Sequence, residues 1–100
     1  MIKHVVFWKL KDFAEGRSKE ENIKTIKNGL LALKDKIPQI LEIEAGKDLL
    51  GTEQSWDMAL YSVFRDLSSL DIYRNHPDHQ KMAEFIAKVI TDRAIVDYEA

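Results

Sequence analysis

Ile2-Lys3-His4-Val5-Val6-Phe7-Trp8-Lys9-Leu10-Lys11 is the stretch on which the fold turns. Its β-branched and aromatic residues read as a strand over residues 2–11. Side chains alternate across a strand, so Ile2, His4, Val6, Trp8 and Leu10 share one face, while Val5 and Phe7, flanked by lysines, share the other. Both faces are apolar at the centre, so both need cover.

Working outward, residues 12–17 read as a loop. Ser18 and Glu21 then form a capping box, each side chain meeting an orphan N–H at a helix start. Ile23, Ile26, Leu30, Leu33 and Ile37 recur at 3,4,3,4 spacing, one stripe of an amphipathic helix that Pro38 ends. Ile40 to Lys47 read as a second strand, with Leu41, Ile43 and Ala45 on one face and Glu42 and Glu44 on the other. Ser55 to Arg65 read as a third strand, with Trp56, Met58, Leu60 and Phe64 on one side and Ala59, Tyr61 and Val63 on the other. Asp66 and Ser68 are caps for a short helix through Asn75, and Pro77 suits the first position of a new one. That helix carries Met82, Phe85, Ile86, Val89 and Ile90 at helical spacing, and a last strand runs through Ala94, Ile95, Val96 and Tyr98.

The order is β-α-β-β-α-β, the plan of an α+β, ferredoxin-like sandwich with a four-stranded antiparallel sheet. Helices on one side leave the second face of the sheet bare. A greasy face of that size marks an interface, and a second copy of the same sheet covers it by a two-fold axis. The expectation is a single domain over residues 1–100 that forms a homodimeric α/β barrel, with Val5, Phe7, Tyr61 and Val63 at the interface.

Composition narrows the function. Fifteen Lys+Arg against 17 Asp+Glu, a net charge of -2, argue against nucleic acid or an anionic membrane as partner. Cysteine is absent, which excludes thiol catalysis, disulfides and thiolate metal sites. No apolar run approaches the roughly 20 residues of a membrane span, and the N-terminus lacks a signal-peptide layout, so a cytoplasmic protein is expected. No phosphate-cradling glycine loop, nucleophile elbow or useful pair of carboxylates is present.

Histidine carries the remaining chemistry. His4 lies on the strand face that parity assigns to the helices. His79 shares a helix stripe with Met82 and Ile86, so it faces the sheet, and the helix N-terminus disfavours its imidazolium. A neutral imidazole in an apolar pocket suits a general base. The pocket expected around the pair is Val6, Trp8, Leu30, Met82 and Ile86. The bland alternative makes His4 a core histidine satisfied by a backbone carbonyl and His79 a packing residue. His76, before Pro77, reads as a cap or turn residue. His76 and His79 are three apart, but two nitrogens make a poor metal site, so neither metal nor cofactor is expected. Trp8, Trp56, Tyr61 and Phe64 read as sheet packing and dimer core.

Together these features resemble the stress-responsive A/B barrel (Dabb) family over nearly the whole chain. The marks are Lys3-His4-Val5-Val6, Gly46-Lys47-Asp48, Tyr73-Arg74-Asn75-His76-Pro77-Asp78-His79 and Ile95-Val96-Asp97-Tyr98. The resemblance implies a dimeric α+β barrel, in some members built into larger oligomers. Most members have no assigned reaction; plant stress proteins and a plant polyketide cyclase are among them. In that cyclase, histidines matching His4 and His79 serve as acid and base and a tyrosine matches Tyr73, which implies cofactor-free proton abstraction beside a carbonyl followed by ring closure. This chain has Leu30 and other aliphatic residues where the cyclase offers a second tyrosine. Three readings stand: a stress-related assembly protein of undefined activity with a small hydrophobic pocket, a cyclase- or isomerase-like enzyme, and, by fold analogy alone, a haem or quinol monooxygenase.

Overall fold

The computed structural model describes residues 1–100. β1 (Ile2–Leu10) leads through a small hairpin, β2 (Phe13–Ala14) and β3 (Arg17–Ser18), into α1 (Lys19–Ala32). β4 (Glu42–Lys47), β5 (Met58–Phe64), α2 (Leu67–Asn75), α3 (Pro77–Val89) and β6 (Ile90–Glu99) follow. The main sheet is antiparallel throughout, in the order β4-β5-β1-β6, and the fold is ferredoxin-like.

β1 is the hub. It pairs β5 from Ile2↔Phe64 to Trp8↔Met58, and β6 from Ile2↔Glu99 to Leu10↔Ile90. Residues directly opposed in a ladder share a face, so the register sorts the sheet. Ile2, His4, Val6, Trp8 and Leu10 of β1 are all buried beneath the helices, with Met58, Leu60, Ser62 and Phe64 beside them. The capping box at Ser18 and Glu21 is complete, and the Ser18 hydrogen bonds hold the Glu21 carboxyl below its usual range. Asp66 caps α2 by accepting from the Ser69 N–H, and Pro77 opens α3.

Several boundaries differ from the sequence reading. Residues 12–17 are no plain loop, because Glu15 and Gly16 both take positive φ and close a tight hairpin. α1 gives way at Leu33 to a 3-10 turn over Leu33–Asp35, so Leu33 and Ile37 are buried from tightened backbone beyond the α-helix. β4 begins at Glu42, after Leu41, and β5 runs only from Met58 to Phe64. Trp56 therefore escapes the parity of β5. It packs beside Phe7 on the face away from the helices, with Lys9 over its ring, while Asp57 N–H donates to Trp8 O and Asp57 Oδ2 accepts from Leu10 N–H. Ile90 leaves the helix for β6, where Thr91 bulges out and donates to Lys9 O.

The second face carries Val5 and Phe7, with Ala59 and Tyr61 on β5 and Ala94, Val96 and Tyr98 on β6. Val5, Phe7 and Tyr61 stay half-buried and Val96 is 55% exposed. Val63 departs from the expected interface set, since at 4% exposure it is already covered within its own chain. Its register partners Lys3 and Glu42 flank it, and Lys3 Nζ reaches across to donate to Tyr61 OH at 2.8 Å.

Candidate functional site

Between α2, α3 and the β1–β6 half of the sheet lies a cavity of about 370 Å³, at the small end of the range for ligand pockets. β1 supplies His4, Val6 and Trp8 to its wall, α1 supplies Leu30, and α2 supplies Tyr73. α3 supplies His79, Met82 and Ile86, placed on one face by their i, i+3, i+7 spacing. The residues that the sequence singled out as pocket and catalytic candidates all border this one space.

Strand parity turns His4 inward, and the residue is 5% exposed. Its Nδ1–H donates to the Asp97 carboxylate, brought opposite by the β1–β6 register His4↔Asp97. A carboxylate on Nδ1 fixes the tautomer and leaves Nε2 as the free nitrogen. The expected backbone carbonyl partner is replaced by this side chain; it is the His4 carbonyl that is engaged, accepting from Ser62 Oγ at 3.3 Å.

Tyr73 lies between the two histidines. Its ring centroid is 6.1 Å from that of His4 and 4.4 Å from that of His79, with Phe64 behind it at 4.9 Å. The side chain is fully buried and its hydroxyl has no hydrogen-bond partner. Burial pushes the phenol well above its ordinary range, so it is a hydroxyl and not a phenolate near neutrality. An unmet buried hydroxyl costs about 1–3 kcal/mol, which a ligand oxygen or water in the cavity offsets.

His79 Nδ1–H donates to Arg74 O at 3.1 Å, again leaving Nε2 as the basic atom. The pKa of His79 is lowered, chiefly by burial; its hydrogen bond to Arg74 O opposes the shift, and His4, Arg93 and Arg74 add smaller lowering effects. The direction is the one expected from the helix N-terminus, but the leading cause is desolvation. His76 does not join them: its Nδ1 accepts from Asp78 N–H and caps α3. The Nδ1 atoms of His76 and His79 are both bound to backbone, and no group of three or more histidine, aspartate or glutamate side chains is arranged to hold a metal ion.

Three features of the site escaped the sequence reading. In the sequence Asp97 reads only as part of the closing strand pattern, because a partner 93 residues away is invisible without the register. Trp8 Nε1 is buried and unpartnered at the cavity wall. Arg74 and Arg93 border the same space from exposed positions.

The sequence profile of the stress-responsive A/B barrel domain matches residues 2–100. The chain belongs to the Dabb family. The chain is similar to a crystallised dimeric protein of unknown function and ferredoxin-like fold from Bacteroides fragilis, at 33% identity and TM-score 0.84, over 99% of this chain and 95% of that one. A dimeric ferredoxin-like protein of unknown function from Thermobifida fusca aligns at 22% identity and TM-score 0.85, covering 99% and 90%. Hydroxynitrile lyase from Passiflora edulis aligns at 19% identity and TM-score 0.81, covering 97% and 90%, a likeness of fold alone. No match to a curated protein is found. No helix of this Dabb chain is long and apolar enough to cross a membrane.

Proposed function

We propose that this Dabb protein is a homodimer whose subunits each bind a small, largely apolar carbonyl compound and move a proton on it without a cofactor. One observation carries the reading: Tyr73, its buried hydroxyl unpartnered, packs its ring near both His4 and His79, and all three residues line a single cavity. In the step proposed, His79 Nε2 takes a proton from carbon beside the carbonyl. The Tyr73 O–H donates to the developing enolate oxygen, where a donor in a dry site matters most. His4, oriented by Asp97, returns a proton to complete isomerisation or ring closure. The hydroxynitrile lyase likeness supports no more than the capacity of this fold to house a reaction. A purely structural stress-related role is the competing reading, favoured by the half-exposed second sheet face. That face, with Val5, Phe7 and Tyr61, is the surface we assign to the partner subunit, as the dimeric relatives support. A chain without cysteine needs no oxidising compartment, and we place this one in the cytoplasm.

The test is hydrogen–deuterium exchange beside the carbonyl of octan-2-one, followed by NMR in D2O. The wild type accelerates exchange over buffer, and His79→Ala loses about 10²–10⁴-fold of that acceleration. Exchange no faster than buffer with wild-type protein, or equally fast with the variant, leaves the structural reading in possession.

A further inference from the structure

Besides the two histidine Nε2 atoms, the unpartnered buried polar groups on the cavity wall are both able to donate hydrogen bonds. Trp8 Nε1–H has no acceptor capacity, and Tyr73 is held as a hydroxyl. Two guanidinium groups join them. Arg93 stands directly opposite Trp8 in the β1–β6 ladder, so its side chain leaves the sheet on the cavity side. Arg74 follows Tyr73 in α2, and both arginines border the cavity while remaining exposed. Neither guanidinium takes part in any of the ion pairs of the molecule. No carboxylate residue lines the cavity. Arg74 also lines a separate groove with Asp71 and Asp97, and Asp97 is engaged by His4. Both positive charges are felt inside, since each contributes to the suppressed basicity of His79.

We propose that Arg93, together with Arg74, forms the anion-recognising mouth of this cavity. Its ligand then has an apolar body along Val6, Leu30 and Ile86, an acceptor oxygen at Tyr73, and a carboxylate held outside by guanidinium. Arginine suits that role because its planar fork matches a carboxylate and stays charged at every working pH. The assignment rests on the acid–base reading only in using the same cavity.

The experiment is calorimetric titration with octanoate and with octanamide, which share length and shape but not charge. Octanoate binds the wild type about tenfold tighter or more, the scale of one charge-assisted hydrogen bond, and added salt erodes the difference. In the double variant Arg74→Gln/Arg93→Gln the preference falls to about twofold or less, while octanamide binds as before. Equal binding of the two probes by wild type, or a preference that survives the double variant, overturns the inference. Ala87→Trp fills the cavity from an exposed helix position and separates the two failures. Octanamide that binds, is excluded by Ala87→Trp and equals octanoate leaves the cavity in place and sinks the anion site. Neither probe binding at millimolar concentration sinks both.

Discussion

The two faces of β1 are made from the same nine residues and do opposite things. On the helix side every second residue is buried at 3–6% exposure. On the other side Val5 and Phe7 stop at half-burial between Lys3 and Lys9, beside the exposed Val96 and Tyr98. The covered face has donors with nothing to donate to, Trp8 Nε1 and the Tyr73 hydroxyl. The open face has its polar ends settled, as where Lys3 meets Tyr61. The contrast teaches that the inner face is complete as a core and incomplete as a binding site. The outer face is complete in its polar contacts and incomplete as an apolar surface.

Phe7→Asp attacks the outer face alone. A two-fold axis applies each change twice, so the dimer loses about 3–6 kcal/mol of association free energy. Light scattering then reports a monomer at micromolar concentration, while circular dichroism stays that of the folded chain. A variant that remains dimeric denies this face its assigned partner. Phe64→Ala attacks the inner face alone. Phe64 is fully buried against Tyr73, and its loss costs about 3–5 kcal/mol, a large part of the roughly 5–15 kcal/mol that folds a domain. Urea denaturation measures it as a lower midpoint, read in the Phe7→Asp background so that dimerisation does not mask the change.

The smallest effect sharpens the comparison through pH. Under the proposed mechanism His79 acts as a base only when neutral, and its pKa lies below the ordinary 6.5. Activity therefore holds as pH falls through 6.5 and declines only below it, as the imidazole takes up its proton. Arg93→Gln removes a cation that opposes that proton, so the acidic limb of kcat/KM moves to higher pH. A limb that stays in place shows that the charge of Arg93 does not reach the inner face.

Much of this was legible from local pattern. The alternation in β1, the capping box at Ser18 and the proline opening α3 are signals within a few residues, and they place His4 and His79 on facing surfaces. What local pattern could not supply was register and irregularity. Asp97 meets His4 only because β6 lies along β1 in one particular offset, which the Thr91 bulge resets near Leu10. Trp56 changes sides because β5 starts two residues after it, and Ile90 fits a helical stripe yet begins a strand. Arg74 and Arg93 carry no local signal of a site, because an exposed charge reveals nothing of a cavity beside it until the fold is known. Val63 shows the reverse case, a residue on the expected face that its own chain already covers.

Gly29 of α1 sets a limit on the cavity that its own position does not suggest. A methyl group at this position would run into the end of the Met82 side chain, which lines the cavity from α3. The methionine is flexible enough to yield, so the cost of a larger residue here falls less on the fold than on the space a ligand enters. A single missing carbon on a helix that carries no histidine thus sets how much room the cavity keeps.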